Sequence, residues 1–118
     1  MPNVATNGSA CTTGHGCDTT TTVNGGSSNV IIGNKGVARK DDPLSDHTIA
    51  KTDLGLPYPP EPLCIDHNGQ KVNEGSATVL LQISATVFVN DKPIARVGDP
   101  VDIGGAITSG DSTVVAGG

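Results

Sequence analysis

Apolar residues along this chain fall in short runs of Val, Ile and Thr, each soon cut off by Gly, Asn, Asp or Pro. No window carries the i, i+3, i+4, i+7 recurrence of an amphipathic helix. The pattern predicts an all-β protein with strands at Asn29–Ile32, Gly36–Arg39, Thr78–Gln82, Thr86–Val89, Ile94–Val97 and Ser112–Ala116. Sixteen Gly and eight Pro point the same way. Gly supplies positive φ and Pro fixes φ near about −65°, so such a chain makes many tight turns and sustains no long helix.

Two of the runs are copies of one another. Val30-Ile31-Ile32-Gly33-Asn34-Lys35-Gly36-Val37-Ala38-Arg39 aligns without a gap on Val87-Phe88-Val89-Asn90-Asp91-Lys92-Pro93-Ile94-Ala95-Arg96, and both continue to Asp-Pro, at Asp42-Pro43 and Asp99-Pro100. A repeated strand, turn, strand and stop means one hairpin unit used more than once. The second copy, running on through Val97-Gly98-Asp99, resembles the motif of the PAAR-repeat family, the spike-tip proteins of contractile injection systems. In the first copy Gly36 replaces the motif's proline and Asp41 its glycine. Gly75-Ser76-Ala77-Thr78-Val79, Ser84-Ala85-Thr86-Val87 and Gly110-Asp111-Ser112-Thr113-Val114 resemble the family's Gly-Ser-Pro-Thr-Val strand openings, and Gly14-His15-Gly16-Cys17 its early His-Gly element. Leu54–Leu63 falls outside the resemblance; its four prolines read as a stiff extended insertion. The resemblance implies one domain over residues 1–118, folded as a small cone of short β-hairpins with a pseudo-threefold base and a metal-tied apex.

Composition narrows the functions open to such a fold. Phe88 and Tyr58 are the only aromatic residues, so the core is built from small and β-branched side chains, and stability calls for a metal, a partner or both. A net charge of −5 and seven scattered Lys and Arg argue against nucleic acid, whose phosphates require clustered cations. No apolar run approaches the roughly eighteen residues of a membrane-spanning helix, and the N-terminus lacks the pattern of a signal peptide. The expectation is a protein held in the cytoplasm before assembly and then carried at the tip of a secreted or virion-associated injection apparatus.

Ligand-type residues form two groups, Cys11, His15 and Cys17, then His47, Cys64 and His67. All three His lie in segments expected to link hairpins. A metal there would tie loops that share no core, and imidazole with thiolate favours zinc. By resemblance, family members hold zinc near the apex with three His and one Cys. Carried over, His15, His47 and His67 supply the nitrogens and Cys64 the sulfur, since Cys64-Ile65-Asp66-His67 has the short spacing of two ligands on one loop. The family's usual cysteine after the last motif is replaced here by Val101-Asp102-Ile103-Gly104, which leaves Cys17 and Asp102 as alternatives to Cys64; iron is an alternative to zinc. A disulfide between Cys11 and Cys17 is a further reading, against which stands the reducing cytosol.

Arg39 and Arg96, each followed by Asp within three residues, are expected to form local ion pairs; direct contact with a partner is the alternative. No nucleophile stands with a base and an orienting group, so no enzymatic activity is expected. The resemblance implies a non-enzymatic tip that caps a trimeric VgrG-like or phage central spike, one copy per trimer, and sharpens it for puncturing a target envelope, with any effector cargo bound noncovalently. A free-standing metal-stabilised hairpin module is the alternative.

Overall fold

The computed structural model describes residues 2–55, 63–73 and 87–116. Among these the regular structure is a series of short antiparallel hairpins. Strand β1 (Ala10–Thr12) pairs with β2 (Thr20–Thr22), and β3 (Ile31–Ile32) with β4 (Lys35–Gly36). β5 (His47–Ala50) pairs with β6 (Cys64–His67), β7 (Phe88–Val89) with β8 (Lys92–Pro93), and β9 (Pro100–Val101) with β10 (Gly105–Ala106). One 3-10 turn, Lys51–Leu54, follows β5. The all-β expectation holds. The repeat hairpins turn at Gly33-Asn34 and Asn90-Asp91, four residues with positive φ, as a tight two-residue hairpin turn of type I′ requires.

Of the strands expected around the two repeat copies, Asn29–Ile32 contains β3 and Thr86–Val89 contains β7, whereas Gly36–Arg39 shares only Gly36 with β4 and Ile94–Val97 begins just past β8, continuing as bridged backbone such as Arg39 opposite Ile94. The expected strand at Ser112–Ala116 is a single bridge between Val115 and Asn3. Thr78–Gln82, Thr86 and most of Leu54–Leu63 lie outside the described residues. Seven strands were not expected: β1, β2, β5, β6, β8, β9 and β10. Their sequences, such as Thr20-Thr21-Thr22 and Gly105-Ala106, carry too little apolar patterning to stand out; pairing, not propensity, makes them strands.

The two copies legible in the sequence are joined by a third, assembled from the two ends of the chain. Val37 donates its amide to Val30, Ile94 to Val87, and Val4 to Val114, so Val4 and Val114 complete the third unit. Where the three units meet, Ala5 donates to Ala95, Ala95 to Ala38 and Ala38 to Ala5, a closed ring of hydrogen bonds at 2.9–3.0 Å. All three alanines are fully buried. Full burial within this ring of hydrogen-bonded backbone favours a small side chain at the position.

The symmetry continues into the turn after each alanine. Arg39 N–H donates to the Asp42 carboxylate at 2.7 Å, Arg96 N–H to Asp99 at 3.0 Å, and Thr6 N–H to the Ser9 hydroxyl at 3.0 Å. Gly8, Asp41 and Gly98, at matching places in these turns, all have positive φ. The amides of Val23, Val72 and Ile107 then donate to the carbonyls of Ser9, Asp42 and Asp99. Cys11, Leu44 and Val101 occupy equivalent positions and pack in one buried cluster with Val23, Val72 and Ile107. Cys11 therefore serves as a small apolar side chain, and burial pushes its thiol up to about 11. A second cluster, Val4, Val37, Val89, Ile94 and Ala116, fills the end formed by the repeat hairpins.

Candidate metal centre

Three hairpins of unequal length project away from the alanine ring: β1–β2, β5–β6 and β9–β10. His15 comes from the loop of the first, His47 and His67 from the paired strands of the second, and Asp102 from the tight turn of the third. His47 and His67 are direct cross-strand partners, which puts both imidazoles on the inner face of that hairpin. Asp102 adopts positive φ (56°) immediately after β9, and this turns its carboxylate into the space between the imidazoles.

The four side chains converge. Asp102 Oδ2 lies 2.9 Å from His15 Nε2 and 2.5 Å from His47 Nε2, and Oδ1 lies 2.8 Å from His67 Nε2. The Asp102 side chain is wholly buried, and those of His15 and His47 are nearly so. His15 and His47 rings stack at 5.3 Å, and His67 stands edge-on to both. Burial pushes the Asp102 carboxyl up; when Nε2 of His15, His67 and His47 carries hydrogen, the hydrogen bonds these rings donate outweigh burial and hold the group below the ordinary carboxylate value.

The tautomers are set from outside the cluster. His15 Nδ1 lies 2.9 Å from the Gly16 carbonyl and His47 Nδ1 2.8 Å from the Ser45 carbonyl. A carbonyl only accepts, so each Nδ1 carries hydrogen and the neutral ring presents the Nε2 lone pair to Asp102. Lone pairs facing a carboxylate at this range repel unless a positive charge lies between them. Either protons or a cation must supply it. The donor set of three imidazole nitrogens and one carboxylate oxygen, all within 4.8 Å of one another, could hold a metal ion. Among the described residues this is the group that meets that description.

Cys64 is not in it. Its sulfur is bonded to Cys17, with Cα atoms 6.0 Å apart. The reason is parity: Cys64 and His67 are three residues apart on an extended strand, so they face opposite sides, whereas a shared ion would need the intervening residues to turn. Cys17 lies just beyond His15 and crosses to the outer side of the β5–β6 hairpin, so the disulfide ties together two of the three hairpins that carry ligands. The alternative pairing of Cys11 with Cys17 is excluded because Cys11 is a buried free thiol in the core. Asp102 was marked in the sequence by its place directly after the last motif, where the family's cysteine is usual. The 47-residue separation hid the Cys17–Cys64 pairing, and no local pattern announces it.

Both expected local ion pairs are present: Arg39 with Asp42 at 2.8 Å and Arg96 with Asp99 at 3.2 Å. Asp41 turns away and meets Lys40 instead.

A family model, the PAAR motif, matches residues 13–109. The chain belongs to the PAAR motif family. This PAAR protein is thus a member of a family of structural spike-tip proteins, and the match takes in His15, His47, His67 and Asp102. Comparison with curated protein sequences gives no match. In this PAAR protein no helix among the described residues is long and apolar enough to cross a membrane.

Proposed function

We propose that this protein caps the end of a trimeric β-helical spike, one copy per trimer, and hardens the point with a zinc ion held by His15, His47, His67 and Asp102. The observation that carries the first half is a threefold set of exposed apolar residues. Ile31, Phe88 and Val115 occupy the same place in the three units and are 50%, 54% and 49% exposed, while their neighbours Ile32, Val89 and Ala116 turn inward. One chain that offers three equivalent apolar contacts suits a partner made of three identical chains. A spike end also presents unpaired strand groups, which a β cap can satisfy.

Support for the second half lies in the Nε2 lone pairs directed at one carboxylate. Zinc closed off by four protein ligands is structural rather than catalytic, and it would cross-link three hairpins that meet with little apolar packing between them. The Cys17–Cys64 bond reinforces two of these hairpins from outside. Rigidity at the point then comes from cross-links rather than from a large core. The protein as a non-enzymatic tip, borne on a secreted or virion-associated particle and free to carry noncovalent cargo, follows from the same reading.

The test combines stoichiometry and metal content. Mixed with a trimeric spike, the protein should bind at one per trimer, and Phe88→Ser should weaken binding by about 1.5–3 kcal/mol, roughly 10- to 100-fold. Elemental mass spectrometry should give one zinc per chain, lost in Asp102→Ala. A folded, zinc-loaded protein that binds no trimeric spike would instead favour a free-standing hairpin module.

A further inference from the structure

The threefold repeat is broken at one place, and the break leaves a cavity. In two units the residue after the central alanine is Arg, paired with the Asp three residues on, and the Arg39 side chain also fills a slot against the neighbouring unit. Arg39 Nε and Nη2 donate to Asp42 at 3.1 and 2.8 Å, and Nη1 reaches Asn90 Oδ1 in the next hairpin turn at 3.0 Å. Arg96 sits likewise on Asp99, with little of either side chain exposed. The third unit has Thr6 and Ser9 in place of Arg and Asp, although the backbone turn is the same. Where the guanidinium would lie there is an open cavity of about 300 Å³ lined by Thr6, Ser9, Gly33, Ser109 and Asp111.

The walls of this cavity correspond residue by residue to those of the Arg39 slot. Gly33 stands where Asn90 stands, at the first turn position of the neighbouring hairpin. Asp111 stands where Ser27 stands: Ser27 Oγ donates to Asn90 Oδ1 at 2.7 Å, and a Cβ on Gly33 would come 3.4 Å from Asp111 Oδ2. The third slot has therefore lost its arginine and the carboxylate of the turn, yet it keeps a negative charge, supplied from the opposite wall by Asp111. Lys35 also lines the cavity; it is exposed and forms no ion pair with Asp111 among the described residues. Lys92 holds the matching position beside the filled Arg39 slot, so a lysine there is compatible with a bound guanidinium.

We propose that the third slot is a guanidinium-binding site, and that its natural occupant is an arginine side chain from a protein seated against the N-terminal segment. The two filled slots show which group the geometry accepts. A planar fork with five donors can meet the Asp111 carboxylate, the Thr6 and Ser9 hydroxyls and exposed carbonyls at once, whereas an ammonium presents a point charge. The inference stands apart from spike capping, because it rests on the broken repeat alone.

The experiment is an amide chemical-shift titration of the full, as-purified protein with methylguanidinium, N-acetylarginine amide and N-acetyllysine amide. Saturable shifts are expected at Thr6, Ser9, Gly33, Gly110 and Asp111 with the first two probes, and at least about five-fold weaker binding with the lysine probe. Asp111→Asn should weaken binding by about ten-fold, the scale of losing a charge-assisted hydrogen bond. Thr6→Arg with Ser9→Asp should refill the slot from within and abolish binding while leaving the fold intact, so it separates occupancy from any loosening of the Asp111 turn. Equal response to the lysine probe, shifts spread over unrelated carboxylates, or unchanged binding in the refilled variant would each overturn the proposal.

Discussion

Breaking the Cys17–Cys64 bond gives the most direct reading of how this small core is held. The bond closes a segment of 47 residues and leaves the core clusters untouched. Loop closure over that length removes chain entropy from the unfolded state worth about 4 kcal/mol at 25 °C. For a chain of this size, with an unfolding entropy of about 2.1 cal/mol/K per residue, that corresponds to a fall in Tm of roughly 15 °C. The assay is equilibrium urea unfolding, followed by far-UV circular dichroism in the presence of a chelator, on the wild type and on Cys17→Ser/Cys64→Ser. The chelator matters because a metal on His15 and His67 would bridge nearly the same segment and add its own folding energy. Two changes are expected together. The stability falls by up to about 4 kcal/mol, and the denaturant slope rises because the uncrosslinked unfolded chain exposes more surface. A loss below about 1 kcal/mol with an unchanged slope would refute the reasoning, since it would mean that the bond does not constrain the unfolded chain.

Other expectations concern single residues. Asp41→Gly should stabilise the protein by up to about 1 kcal/mol, because Asp41 carries φ 72° where the equivalent turns use Gly8 and Gly98, and its exposed contact with Lys40 is worth little; calorimetry against the wild type tests it. Ala95→Val should cost about 1–3 kcal/mol by overpacking the closed alanine ring, read by the same denaturation assay. Asp18 accepts from Thr48 N and Oγ1, and these bonds, the backbone one first, hold its carboxyl below the ordinary 3.8. Its stabilising contribution is thus complete above pH 3.8 and is lost as pH falls through the lower folded value. The Thr48 amide shift should titrate with a midpoint below 3.8, and Asp18→Asn should abolish that titration.

How much of the fold was legible can be judged from particular elements. The β3–β4 and β7–β8 hairpins were readable because Val/Ile runs flank residues that tolerate positive φ, a signal contained within ten residues. β5 and β6 were not, although they carry two of the three imidazoles. Their short mixed sequences become strands by pairing across the intervening segment, and that segment separates them in the sequence.

The sequence by itself determined an all-β chain, a doubled hairpin motif, the family it belongs to and the three histidines. It did so because turn chemistry, strand alternation and residue type act over a few neighbouring positions. Tertiary structure alone decided the rest. It made the third unit by bringing Val4 beside Val114, and it closed the alanine ring. Asp102, rather than Cys64, was set among the imidazoles because strand parity turns Cys64 outward to Cys17. It also left the third arginine slot open, a feature visible only when Thr6 is seen to occupy the place of Arg39 and Arg96. These are relations between residues far apart along the chain, fixed by packing and hydrogen bonding that no local window contains.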